Sequence, residues 1–273
     1  MTQRPRMLMC PPTYFEVSYV INPWMARHVD GVHRSRAQAQ WDALHALLSA
    51  RAEVRLIEPA PGLPDMPFTA NAGVVLGDTF VPSRFRHAQR KGEEPLFEHW
   101  FAQQGYTIQA LPEGLDFEGA GDALLDRGQS LLWMGYGHRS DAACADILGT
   151  MLDIEVIPLR LSDARFYHLD TCFCPLQNGA LLYHPAAFDD ASRALIEERV
   201  PAHRRLAVGA DDAAAFACNA VDVNDAVILN RASDALRDGL RGLGYDVIET
   251  PLGEFMKSGG SAKCLTLRLD EPR

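Results

Sequence analysis

Four times in this chain, two short runs of β-forming residues are joined by a tight turn. Gly77-Asp78 separates residues 73–76 from 79–82, and Arg127-Gly128-Gln129 separates 122–126 from 130–135. Gln177-Asn178-Gly179 lies between 172–176 and 180–183, and Asn224-Asp225 between 221–223 and 226–230. Gly, Asn and Asp tolerate the backbone angles of short hairpin loops, so each pair is expected to form an antiparallel hairpin. Amphipathic helical patterns fall at 33–50, 95–104, 140–151, 187–200 and 232–243. After each comes one more β-type run, at 53–57, 107–110, 155–158, 204–207 and 246–250.

The repeating unit is therefore strand, hairpin, strand, helix, strand. Five such units in 273 residues average about 55 residues each, just beyond the usual range of repeat periods. No sequence identity between the units is visible, so the repeat rests on pattern alone. A doubly wound parallel sheet is the main competitor, but parallel strands need crossovers rather than tight turns. No Pro/Gly/Ser-rich linker interrupts the chain, and a single α/β catalytic domain over residues 1–273 is expected.

Composition bounds the partners. Lys and Arg number 26 against 36 Asp and Glu, a net charge of −10, which argues against a nucleic-acid partner. A cationic substrate fits that balance. With 47% apolar residues the chain can bury roughly three quarters of its unfolded surface without a metal or disulfide staple. No apolar run approaches the ~18 residues of a membrane span, and residues 1–14 lack a signal-like apolar stretch. A cytoplasmic protein with reduced thiols is expected, its self-association left open. Each of Cys10, Cys144, Cys172, Cys174, Cys218 and Cys264 is then either buried filling or chemistry. There is no GxGxxG, P-loop, HExxH or GxSxG, and Cys172-Phe173-Cys174 lacks a second pair of metal ligands. Neither a metal nor an organic cofactor is expected.

Four segments carry polar residues on constrained backbone. Phe68-Thr69-Ala70-Asn71-Ala72-Gly73 enters a hairpin, with Asp65 shortly before it. Phe117-Glu118-Gly119-Ala120-Gly121-Asp122 sets an acid before two glycines. Tyr167-His168-Leu169-Asp170 would place His168 and Asp170 on one strand face by the period of two. Lys257-Ser258-Gly259-Gly260-Ser261-Ala262-Lys263-Cys264 delivers a cysteine from a glycine-bent segment. Taken singly, each has an ordinary structural explanation. Together, Cys264, His168, Glu118 and Asp170 form a thiol, imidazole and carboxylate set suited to nucleophilic catalysis.

These ordered segments resemble the guanidine-modifying (pentein) superfamily of arginine deiminases, dimethylarginine dimethylaminohydrolases, amidinotransferases and arginine dihydrolases. The resemblance runs from Pro11-Pro12-Thr13-Tyr14-Phe15 to Cys264 and implies a five-bladed pseudosymmetric α/β propeller. It also implies Cys264 as nucleophile, His168 as acid and base, Glu118 as its buried carboxylate and Asp170 as guanidinium ligand. Arg90 and Arg139 match the residues that hold the substrate carboxylate, and Asp65 the one that meets the α-ammonium. Deiminases and dimethylarginine hydrolases carry a carboxylate where this chain has Asn71. An amide can accept from a guanidinium and then donate to a ureido oxygen. Asn22 resembles a second amide beside the site in arginine dihydrolases, and it and Ser258, in the nucleophile segment, are also expected to bind substrate.

The reading favoured is an arginine dihydrolase that releases ornithine, ammonia and carbon dioxide. A dimethylarginine dimethylaminohydrolase or another single-step guanidine hydrolase is the nearest alternative, ahead of an amidinotransferase. A non-catalytic scaffold has no need of all four reactive residues, and an arginase-type metal hydrolase needs Asp/His clusters that are missing.

Overall fold

The computed structural model describes residues 4–272. Its strands form five three-stranded sheets, and every sheet has the same plan. In the first, Gly73–Leu76 pairs antiparallel with Thr79–Pro82, which pairs parallel with Thr107–Ile108. The helix Glu94–Gln103 makes the crossover that the parallel pair requires. All eight hairpin residues are buried, which explains why the run reads as continuously apolar rather than alternating. Gly77 takes the turn with φ at 62°, a conformation that disfavours side chains with a Cβ.

The next three units repeat this plan. Ala123–Leu125, Leu131–Tyr136 and Glu155–Arg160 form the second sheet, crossed over by helix Cys144–Leu152. Phe173–Pro175, Leu181–Tyr183 and Arg205–Ala207 form the third, with helix Asp190–Arg199. Val221–Val223, Ala226–Leu229 and Asp246–Glu249 form the fourth, with helix Asp234–Gly242. Each expected hairpin is present, with strand ends that match or differ by one residue. The helices expected to begin near residues 140 and 187 start later, because turns and a 3-10 segment precede them.

The fifth sheet has no hairpin of its own. Arg6–Met9 pairs antiparallel with Leu267–Arg268 and parallel with Glu53–Leu56. Strands from the two ends of the described chain thus replace the missing hairpin and join the first residues to the last. Neither end strand was expected from the sequence, since each is short and lacks a tight turn. The short helices Ala210–Ala214 and Gly253–Met256 were missed for the same reason of length.

Each long helix lays an apolar stripe on its own sheet. Trp41, Leu44 and Leu48 pack over Met7 and Met9, and Phe97 and Phe101 over Val75 and Phe80. Leu148 and Leu152 cover Leu132 and Met134, whereas the third and fourth units share one continuous core. Burying a side chain of this size contributes about 1.5–3 kcal/mol, so the helices are held by packing more than by propensity. Among the described residues no helix is long and apolar enough to cross a membrane.

Candidate active site

Ahead of the first strand in each of the first four units, the chain makes one tight turn. The carbonyls of Phe68, Glu118, His168 and Phe216 accept from the N–H groups of Asn71, Gly121, Thr171 and Asn219, at 3.0–3.3 Å. These four turns are one position repeated. The fifth unit has its own turn at Ser261–Thr266, which carries Cys264. Hydrogen bonds bind the turns to one another: Ala70 N to Cys264 O at 3.1 Å, Asn71 Nδ2 to Glu118 O at 3.3 Å, and Asn219 Nδ2 to Asp170 O at 2.9 Å. Residues far apart in sequence therefore meet at one place.

This geometry corrects the expectation that His168 and Asp170 share a strand face. His168 is extended, but Leu169–Thr171 is a 3-10 turn in which Thr171 Oγ1 also donates to His168 O at 2.6 Å. That local bond ends the extended run before the strand begins at Phe173. The two glycines after Glu118 have a steric cause. Gly119 has φ at 59°, and a Cβ there would lie 2.7 Å from the backbone of Gly73. A Cβ on Gly121 would lie 2.3 Å from Asn71 Nδ2.

Cys264 is buried, with Sγ 3.3 and 3.6 Å from the carboxylate oxygens of Asp170. Burial, and then the charge of Asp170, push the thiol well above its ordinary pKa. Burial likewise raises Asp170 to about 6, opposed by the charge of Lys263. The other five cysteines are buried and free as well, so burial does not single out Cys264; its polar neighbours do.

His168 Nε2 lies 2.7 Å from Glu118 Oε2, which also accepts from Arg139 Nη1 at 2.8 Å. Burial favours a neutral Glu118, but Arg139 and the bond to His168 overcome it and hold the carboxylate ionised. Burial lowers His168 to about 4, against the pull of Glu118. A neutral imidazole that donates from Nε2 keeps its lone pair on Nδ1. That atom is buried and has no hydrogen-bond partner among the described residues.

A pocket of about 260 Å³ is lined by Asn22, Asp65, Asn71, Arg90, Arg139, Ser258 and Cys264, joined by Tyr167 and Phe68. Asn22, Asp65, Asn71, Arg90, Arg139 and Ser258 therefore face one cavity, whereas Asp170, the expected guanidinium ligand, does not line it and meets it through Cys264. Their own partners are more extensive than the sequence implied. Asp65 accepts from Tyr19 Oη at 2.7 Å and Ser258 Oγ at 3.1 Å. Asn22 donates to Ser258 O at 2.9 Å and caps the backbone of Trp24 and Met25. Arg139 also donates to Ile21 O at 2.9 Å and lies over the Tyr167 ring. Arg90 is held by Glu93 through two bonds, at 2.7 and 2.9 Å, and donates to Asn71 Oδ1 at 2.7 Å.

Glu93, Tyr19, Tyr167 and Asn219 were not singled out from the sequence. Glu93 stands three residues after Arg90 among several acidic neighbours, Tyr19 carries no motif, and Tyr167 opens a segment whose reading rested on His168 and Asp170. Asn219 had a signal: Phe216-Ala217-Cys218-Asn219-Ala220 repeats the spacing of Phe68-Thr69-Ala70-Asn71-Ala72. Among the described residues no group of three or more His, Cys, Asp and Glu side chains could hold a metal ion.

The family model for N,N dimethylarginine dimethylhydrolase, eukaryotic, matches residues 19–270. The chain belongs to this family. It is 38% identical, over 97% of its length, to N(G),N(G)-dimethylarginine dimethylaminohydrolase of Mycobacterium tuberculosis, covering 85% of that protein. It is 57% identical, over 100% of its length, to bifunctional arginine dihydrolase/ornithine cyclodeaminase AgrE of Nostoc sp.. The chain spans 39% of that relative. The substrate-bound N-terminal domain of ArgZ, an arginine dihydrolase from cyanobacteria, superposes with a TM-score of 0.97 at 53% identity. That match covers 98% of this chain and 99% of the other. That substrate-bound domain is a C264S mutant, and an N71S form of the ArgZ domain has been solved covalently bonded to a reaction intermediate. The five three-stranded sheets and their helices share the α/β fold of these solved relatives.

Proposed function

We propose that this chain is an arginine dihydrolase: it hydrolyses the guanidino carbon of arginine in two rounds through a covalent bond to Cys264. The observation that carries the reading is Cys264 Sγ, 3.3 Å from Asp170, in a pocket walled by Arg90, Arg139 and Asp65. Asp170 receives the guanidinium, the two arginines present a positive wall to the substrate carboxylate, and Asp65 a negative one to the α-ammonium. Residues 1–273 act as one catalytic unit, in the cytoplasm.

A bound guanidinium neutralises Asp170 and so removes the charge that disfavours a thiolate. His168 Nδ1 takes the thiol proton, and ionised Glu118 stabilises the imidazolium that forms. The thiolate adds to the guanidino carbon. The C–N bond breaks, and His168 returns its proton to the departing ammonia. Water then loses a proton to His168 and adds to the same carbon; the S–C bond breaks and citrulline forms. In a second round the ureido carbon is attacked and a second ammonia leaves. Hydrolysis of the resulting thiocarbamate gives a carbamate, which loses carbon dioxide to leave ornithine. Two waters are consumed for two ammonia and one carbon dioxide.

Support for the two-round reading comes from Asn71, which puts an amide rather than a second carboxylate in the pocket, and from the ArgZ and AgrE relatives. Family membership favours a second reading, hydrolysis of a methylated arginine to citrulline. Incubation of the purified protein with arginine should yield ornithine and two equivalents of ammonia, and Cys264→Ser should yield neither. Accumulation of stoichiometric citrulline would overturn the two-round reading, and dimethylamine release from dimethylarginine would favour the second.

A further inference from the structure

Asn219, on the turn ahead of Val221–Val223, is fully buried and spends both ends of its amide on the nucleophile segment and its neighbour. Oδ1 accepts from the backbone N–H groups of Ser261 and Cys264, at 3.0 and 3.1 Å. Nδ2 lies 3.0 Å from Cys264 Sγ and 2.9 Å from Asp170 O, so its two protons can serve both acceptors. The network fixes the amide orientation. Reversed, the oxygen would face a carbonyl oxygen, and the NH₂ group would face two N–H donors.

The sulfur thus has two polar neighbours of opposite effect. The Asp170 carboxylate can only accept, so it holds the thiol proton and repels a thiolate. The Asn219 amide offers a donor, favours the charged sulfur and carries no charge of its own to compete for the substrate cation. Because Oδ1 is tied to two backbone N–H groups, the donor is already in place when charge develops on sulfur.

We propose that Asn219 is a catalytic residue whose Nδ2–H donates to the Cys264 thiolate, both as it forms for attack and as it leaves in each hydrolysis. No group transfers to or from Asn219; it lowers the energy of the sulfur anion and keeps Sγ aimed at the guanidino carbon. The proposal rests on Cys264 being the nucleophile, as argued above. It also gives the repeated Phe-x-x-Asn-Ala turns related duties: Asn71 fastens to Glu118, and Asn219 fastens to Asp170 while contacting the sulfur.

The test is the pH dependence of Cys264 alkylation by iodoacetamide, followed on the Cys264 peptide by mass spectrometry, together with kcat and KM for arginine. Asn219→Ala should move the alkylation profile upward by about one to two pH units, the worth of a hydrogen bond to a charged group. It should lower kcat by roughly 10²-fold while KM changes far less. Asn219→Asp keeps an acceptor for both backbone N–H groups and covers the case in which the alanine variant does not fold. Its carboxylate should shift the profile in the same direction. An unmoved profile in the folded variants, with kcat retained or with the loss confined to KM, would overturn the proposal. Turnover by Cys264→Ser would instead remove the nucleophile assignment on which it depends, so the two failures are distinguishable.

Discussion

Glu118 and His168 meet at 2.7 Å, Oε2 to Nε2, with both side chains almost wholly enclosed. The contact sets which imidazole nitrogen carries the proton in the neutral ring and leaves Nδ1 as the basic site. It also supplies a fixed negative charge for the imidazolium formed during proton transfer. Glu118→Gln retains the shape and loses that charge, leaving Arg139 without its buried counter-ion. Turnover should fall roughly a hundredfold or more, within the range for general acid–base catalysis. Steady-state kinetics check it; a variant that turns over at the wild-type rate would remove Glu118 from the mechanism.

The acid limb of activity should belong to Asp170 rather than to the histidine. His168 acts as a base when neutral, and burial lowers it to about 4, so it stays competent well below neutrality. Asp170 must be ionised to receive a guanidinium, and burial raises it to about 6. As pH falls through that value the free enzyme loses its binding charge, and kcat/KM should decline there. Lys263 opposes the rise, so Lys263→Met should move the limb to higher pH. A limb that stays in place would show that Asp170 does not control it.

The turn glycines yield a steric prediction. A Cβ on Gly121 would lie 2.3 Å from Asn71 Nδ2 and 3.3 Å from His168 Nδ1. Gly121→Ala must displace Asn71 or distort the turn, and an activity loss of roughly tenfold or more is expected on the ~1 Å sensitivity of catalytic geometry. Gly253→Ala is the control, since beyond its chain neighbours and its own helix backbone no described residue lies within 4 Å of its Cβ position. That change should leave kcat unaltered and raise stability by a few tenths to about 1 kcal/mol. Thermal unfolding and turnover, measured together, separate the two variants.

Elements whose signals are local are legible in the sequence, and those whose signals are split are not. Gly77-Asp78 and Asn224-Asp225 announce hairpins within a few residues, and those hairpins are present. Arg6–Met9 and Leu267–Arg268 pair across almost the whole chain, and no local pattern marks such a partnership. The site was legible as a set of residue types, but its wiring was not. Arg90 resembled a substrate ligand, and only the fold reveals Glu93 holding it from the same turn. His168 and Asp170 looked like strand neighbours because period-two spacing cannot register the Thr171 hydroxyl bond that makes a 3-10 turn. The Phe-x-x-Asn-Ala echo at Asn219 was visible but carried no meaning until the turns were seen to be equivalent.

Asn71 tests the two-round chemistry most directly. Its Oδ1 accepts from Arg90 and its Nδ2 donates to Glu118 O, so the amide is oriented by partners that need opposite ends of it. Asn71→Asp preserves the acceptor for Arg90 but sets a carboxylate oxygen against the Glu118 carbonyl. It also removes the donor available to a ureido oxygen. Citrulline should then accumulate, with the ammonia yield per arginine falling from two toward one. Product analysis decides it; an unchanged ornithine yield would leave the amide without a role in retaining citrulline.

Glu93 should matter more for stability than its distance from the chemistry suggests. Its carboxylate holds Arg90 through two bonds, and both side chains are almost entirely buried. Removing one partner of such a pair leaves an uncompensated buried charge, at a cost of about 3–5 kcal/mol. Glu93→Ala should therefore lower the urea midpoint substantially. The same guanidinium donates to Asn71 Oδ1 and to Asp65 O, so its release also frees two pocket residues. Substrate affinity should fall with stability, seen as a raised KM in whatever fraction remains folded. A Glu93→Ala protein of wild-type stability would mean that Arg90 is held by Asn71 and Asp65 alone.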